Sequence, residues 1–98
     1  MKYIIAYVPY SRGDREQIEM VFCDTDEELI RVISETVGCC PVEYDEDAHE
    51  FYDPDTGDTA TCTLGQCMVY LEENFVGDGS FGATMLTVTQ GTNVLFQG

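Results

Sequence analysis

The chain has no lysine or arginine after Arg31. The 67 residues that follow carry twelve carboxylates, and His49 is the only side chain there able to become a cation. Over 98 residues, 19 Asp and Glu stand against four Lys and Arg, a formal net charge of −15. This shortage excludes a basic groove for phosphates, so direct nucleic-acid binding and docking on anionic membranes are not expected. The same charge attracts basic surfaces over several Debye lengths. No run approaches the ~18 apolar residues that read as a membrane span. Met1-Lys2 leads into a short apolar run ended by Pro9 without a small-residue cleavage site, so no signal peptide is expected. There is no Asn-x-Ser/Thr acceptor and no internal repeat. A single histidine inside an acidic run, with no nucleophile in a fitting context, gives catalysis little to stand on. No catalytic residue is assigned and an enzyme is not expected.

What is present argues for a folded body. Hydrophobic residues make up 44% of the chain, with six Tyr and five Phe, which a disordered acidic tail would lack. The length fits one domain with a modest core. Five cysteines (Cys23, Cys39, Cys40, Cys62, Cys67) without a secretion signal favour reduced thiols in the cytoplasm, that of a host cell if the gene is carried by a phage.

Hydrophobic periodicity places the elements. Residues 2–8 are apolar on both alternating faces, as in a central strand. Ile18, Met20 and Phe22 alternate with Glu19, Val21 and Cys23 in a second strand, joined to the first by a hairpin. Residues 25–37 predict a helix with a Thr25-x-x-Glu28 capping box, acids in its first turn, an apolar stripe, and Gly38 as its stop. Residues 39–42 form a short strand or a turn. Asp53-Pro54-Asp55-Thr56-Gly57 has hairpin-turn chemistry, which predicts Glu50 to Tyr52 paired with Asp58 to Thr63. Thr63-x-x-Gln66 opens a second helix that ends between Asn74 and Gly77, and residues 83–89 form a β-branched strand. The order β-β-α-β-β-α-β implies an α+β fold: a small antiparallel sheet with one or two helices on one face. Residues 94–98 (Val-Leu-Phe-Gln-Gly) resemble the cleavage site of a picornaviral 3C protease, so 91–98 are read as a cloning or protease-site remnant and the domain as 1–90.

Several motifs compete for function. Arg12-Gly13-Asp14 is the tripeptide integrins read, here more simply a turn. Gly77-Asp78-Gly79-Ser80-Phe81-Gly82 matches G-x-G-x-x-G but precedes a strand and lacks a cation, so a plain loop is favoured over a nucleotide site. Cys39-Cys40 with Cys62, Cys67 and His49 could meet at a metal. Adjacent cysteines point apart, however, so buried thiols acting as small hydrophobes are preferred. A disulfide from Cys39 or Cys40 to Cys62 or Cys67 is the further alternative. Asp53-x-Asp55-x-Gly57-Asp58 hints at a calcium loop with its glycine misplaced and no Glu at the twelfth position. No cofactor and no metal is expected.

The acidic surface remains. Glu43, Asp45, Glu46, Asp47, Glu50, Asp53, Asp55 and Asp58 put eight acids in sixteen residues, with Tyr44, Phe51 and Tyr52 among them as aromatic anchors. Glu27, Glu28, Glu35, Glu72 and Glu73 form a secondary acidic face on the helices. Ordinary solubility needs only a mixed surface, so near-total loss of cations points to a binding role. In size, charge and lack of catalytic residues the chain resembles small inhibitors encoded by phages and mobile elements, the anti-CRISPR and DNA-mimic antirestriction proteins. The resemblance is compositional and rests on no motif. It implies a stoichiometric inhibitor whose DNA-mimicking face occupies the basic nucleic-acid-binding surface of an effector such as a Cas complex. The alternative is an acidic adaptor for a basic protein partner unrelated to nucleic acid. Homodimerisation is left open.

Overall fold

The computed structural model describes residues 2–10, 17–77 and 81–98. The Arg12-Gly13-Asp14 tripeptide and Asp78 to Ser80 of the glycine-rich loop lie outside them. The architecture is α+β. Strands β1 (Tyr3–Pro9), β2 (Glu19–Cys23), β5 (Ala83–Gln90) and β6 (Asn93–Gln97) form an antiparallel sheet in the order β2-β1-β5-β6. Helices α1 (Asp26–Val32) and α2 (Leu64–Asn74) pack on one of its faces, α1 against β2 and α2 against β6. Strands β3 (Glu43–Asp45) and β4 (Glu50–Tyr52) form a separate two-stranded hairpin.

Both helices begin where their capping residues dictate. The Thr25 hydroxyl accepts from the Glu28 N–H at 3.1 Å, and the Glu28 carboxylate accepts from the Asp24 N–H at 3.0 Å. Thr63 and Gln66 complete a reciprocal capping box at the start of α2, with bonds of 3.1 and 2.8 Å. The first helix is extended by a π-helical turn, Ile33–Val37, closed by Gly38 at φ 76°. The Thr36 hydroxyl bonds back to the Val32 carbonyl at 2.6 Å, and the Gly82 N–H reaches the Val37 carbonyl at 2.8 Å. A Cβ on Gly82 would sit 2.3 Å from the Thr36 carbonyl oxygen, so this approach requires glycine.

The core lies between the helices and the inner sheet face. Tyr3, Ile5, Cys23, Leu86, Val88 and Phe96 meet Leu29, Ile33, Val37, Cys67 and Leu71 there. Tyr3 also donates its hydroxyl to Asp26 at the start of α1. Register places the alternate residues on the other face: Ile4 beside Phe22 and Thr89, Ala6 beside Met20 and Thr87, Val8 beside Met85, and Thr89 beside Val94. Neither helix packs on that face: Met20, Phe22, Met85 and Val94 are each more than half exposed (55%, 54%, 54% and 58%), whereas Val8, at the end of β1, is buried at 4%. The two-sided apolar pattern of residues 2–8 therefore marks a strand central within its sheet, but only one of its faces is packed by helices.

Two expectations need correction. The ladder partner of Glu50 to Tyr52 is Glu43 to Asp45; the expected pairing with Asp58 to Thr63 is present only in part, as the antiparallel bridge Tyr52↔Thr59 with bonds from the Asp53 N–H to the Asp58 carbonyl and from the Ala60 N–H to the Phe51 carbonyl. The chain must leave that ladder to reach Thr63, whose backbone and side chain are committed to α2. Of the two alternatives for residues 39–42, the structure has the non-strand one, a bend over Cys40 to Val42. The sheet does not end at residue 89 or 90: Gly91, at φ 59°, turns the chain into β6, where Phe96 is buried and Gly98 exchanges two bonds with Leu86. The segment resembling a protease site is thus folded as an edge strand.

Candidate functional site

The dense acids sit on the β3–β4 hairpin and the turn that follows. The register is Glu43↔Tyr52, Tyr44↔Phe51 and Asp45↔Glu50, and directly opposed residues share a face. Tyr44 and Phe51 therefore point one way, and Glu43, Asp45, Glu50 and Tyr52 the other. The Tyr44 and Phe51 rings meet edge to face at 5.0 Å and 74°. Phe51 packs against the core, and the Arg31 guanidinium lies 4.2 Å from the Tyr44 ring centroid. These two predicted anchors fasten the hairpin to its own body. Tyr52 donates its hydroxyl to Glu43 at 2.7 Å; this bond, and the carboxylate charge behind it, push the tyrosine pKa up.

The hairpin turn is built from carboxylates and needs no glycine. Asp45 Oδ1 accepts from the N–H groups of Asp47 and Ala48 at 3.0 and 3.2 Å, and His49 closes the turn at φ 55°. In the next turn Asp53 Oδ1 accepts from the Asp55 N–H at 2.8 Å, and Gly57 takes the left-handed position at φ 79°. Glu50 accepts from the Thr59 hydroxyl at 3.0 Å. Asp45 and Asp53 thus shape the loops, and both keep an oxygen clear of these bonds. Seven of the eight acids are exposed and Asp53 is half-buried.

The secondary acids join this surface unevenly. Arg31 bonds Glu35 at 3.1 Å and Glu46 at 3.4 Å, tying the π-helical turn to the hairpin. Asp53 and Glu73 line a single groove of about 680 Å³, with Val69, Tyr70 and Cys62 in its wall. Glu27 lines another, of about 400 Å³, against Phe51. Glu28 is spent on the α1 cap, and Glu72 is exposed on α2 with no hydrogen bond or ion pair to the described hairpin residues. Among the described residues, Arg31 is the one cation paired with a hairpin carboxylate; Lys2 lies instead 3.9 Å from Asp26.

A thiol cluster lies beneath this surface. Cys40 is within hydrogen-bonding reach of Cys67 and Cys62, and all three are free thiols. Bonds from Cys67 and from the Val42 N–H and Cys62, working against burial, bring the Cys40 thiol down to about 7. Burial and the neighbouring Cys40 charge push Cys62 up to about 11, and the bond to Cys40 raises Cys67 further. Burial raises Cys39 to about 11. The three thiols interact too closely to titrate independently. No disulfide forms, and among the described residues no set of three or more His, Cys, Asp or Glu is placed to hold a metal ion.

Two features escaped the sequence reading: the convergence of Cys40 on Cys62 and Cys67, and the open apolar face of the sheet. The matching 3.6- and 2-residue periods at Cys67 and Met20 marked elements, not which neighbours those elements would meet. Searches of protein-family models, curated proteins and solved structures found no match. Among the described residues no helix is long and apolar enough to cross a membrane.

Proposed function

We propose that the protein is a stoichiometric inhibitor that places its acidic hairpin in the basic nucleic-acid groove of an effector complex, of the restriction or RNA-guided type. One observation supports this above others. Seven of the eight carboxylates of the hairpin and its following turn are exposed, on a platform whose aromatic side is spent on the protein's own core. Alternate residues on a strand stand ~7 Å apart and opposed pairs ~5 Å apart. Glu43, Asp45 and Glu50 therefore hold fixed negative charges at spacings comparable to two axial steps of a nucleic-acid strand, ~3.4 Å each. Arg31 neutralises little of this, since it is shared with Glu35. The protein acts by occupancy. Its carboxylates meet Arg and Lys that otherwise hold phosphates, and nucleic acid is displaced without being touched.

The test is binding to purified nucleic-acid-guided nucleases and restriction complexes, with and without their nucleic acid, across a salt titration. The expected result is one-to-one binding that excludes duplex or guide and weakens at least about tenfold between 50 and 200 mM salt. Tight binding that leaves the nucleic-acid channel loaded would overturn the mimic mechanism. Capture of a basic partner with no nucleic-acid site would favour the adaptor reading.

A further inference from the structure

The outer face of the four-stranded sheet is a different kind of surface from the hairpin. Among the described residues its paired positions hold Ile4, Ala6, Met20, Phe22, Met85, Thr87, Thr89, Val94 and Gln97, with the buried Val8 at one end and no ionisable residue among them. Ile18, in step with Met20 two residues earlier, is also exposed. In a chain of net charge −15, an uncharged face of this extent is the exception, and contiguous exposed apolar patches mark contact sites. We propose that this face packs against the same face of a second copy, sheet on sheet, in a two-fold dimer.

Charge selects this occupant. The face offers no carboxylate to a basic partner and no cation to an acidic one, so its complement is another uncharged apolar surface. A two-fold contact supplies one from the protein's own fold at equal concentration. The arrangement also handles self-repulsion. The helices lie across the core from this face, and the acidic hairpin is fastened to the π-helical turn on the helix side. Two copies joined through their sheets therefore carry their hairpins outward, away from each other. Four strands at ~4.8 Å and six residues at ~3.4 Å give a face of roughly 400 Å² in plane. Two such faces, with side-chain relief added, come near the ~1,000 Å² at which biological interfaces begin. An interface of this size lies at the small end of the specific range, so association is expected only at high protein concentration. Ala6 stands opposite Met20 in the register, and methionine is flexible enough to adapt to the facing copy.

Sedimentation velocity of the full chain between about 5 and 500 µM, at 50 and 500 mM salt, tests the proposal. Added salt screens repulsion between the two acidic bodies, so the dimer should tighten several-fold, opposite in sign to the hairpin's binding of a basic groove. The double variant Met20→Lys with Phe22→Lys should dissociate it at least about tenfold. Both positions are exposed, and far-UV circular dichroism checks that the fold is kept. Lysine lowers the net negative charge, so general electrostatics alone would predict the opposite change. Met85→Lys on β5 repeats the test from another strand. A wild-type monomer at 500 µM in high salt would overturn the proposal, as would lysine variants with unchanged association. Retention of the monomer on zwitterionic phosphatidylcholine vesicles would do the same and assign the face to lipid.

Discussion

The hairpin and the outer sheet face divide the surface by chemistry. One holds eight carboxylates on a short two-stranded hairpin and the turn that follows; the other, among the described residues, holds no ionisable group at its paired positions on four strands. Their attachments differ as well. The sheet face is the back of the core, so its shape is maintained by everything packed behind it. The hairpin is held mainly by the Tyr44–Phe51 pair, by Arg31, and by its contact with the π-helical turn. Charge is thus concentrated on the part with the thinnest support. Self-repulsion there strains the hairpin instead of the core.

Four perturbations would break or sharpen that contrast. The largest effect should come from changing all eight hairpin acids to Asn and Gln. Affinity for a basic nucleic-acid groove should fall at least about 100-fold, whereas the same treatment of Glu72, which makes no hydrogen bond or ion pair to the described hairpin residues, should change it less than about threefold. Isothermal titration calorimetry would read both, and unaltered binding by the eightfold variant would end the mimic reading. Next, Phe51→Ala should cost about 2–3 kcal/mol in urea unfolding, below the range for full burial because the ring is half-exposed. Native-state hydrogen exchange should show the hairpin amides losing protection before the sheet does. Equal loss in both would mean that the two regions are one cooperative unit. Thr63→Ala should cost about 1 kcal/mol by removing the α2 cap, since Thr63 is where the chain leaves the hairpin ladder.

The last and smallest effect concerns pH. Cys40 in the fold titrates near 7, below its ordinary value of 9.0, whereas Cys62 is raised to about 11. A group depressed in the fold adds stability as pH rises from its folded value toward its unfolded one. A group that is raised takes stability away above its unfolded value. Stability should therefore rise slightly between pH 7 and 9 and fall beyond 9. Cys40→Ser should remove the rise, which pH-dependent urea midpoints would detect. Iodoacetamide trapping, followed by mass mapping, should show that Cys40 is needed for modification of the cluster near pH 7.5.

Much of the fold was legible, for local reasons. Thr25 and Thr63 announced both helices because their side-chain bonds are made within one turn. Gly57 announced a turn because it supplies a left-handed residue. The neighbouring turn was hidden because His49 supplies that conformation without glycine, and the Asp45 bonds that stabilise it resemble any other acid in a charge run. Strand β2 was legible, its orientation less so. Ile18, Met20 and Phe22 are bulkier than Val21 and Cys23, yet the latter face the core. Cys23 opposes Tyr3 beside the start of α1, and that register assigns every other residue. The acid positions could be read directly, but their joining through Arg31 and the groove between Asp53 and Glu73 depends on tertiary contact.

The strand order carries a kinetic consequence. β1 is flanked by β2, its neighbour in sequence, and by β5, so Ile5 pairs with Val88 across most of the chain. Until β5 is synthesised, β1 and β2 have only each other and α1 to pack on, and the open edge of β1 is unpaired. Such non-local pairing slows closure and leaves a nascent chain exposed. During that interval the high density of negative charge has a second use: it keeps unfinished copies apart on the ribosome while they wait for their last strands.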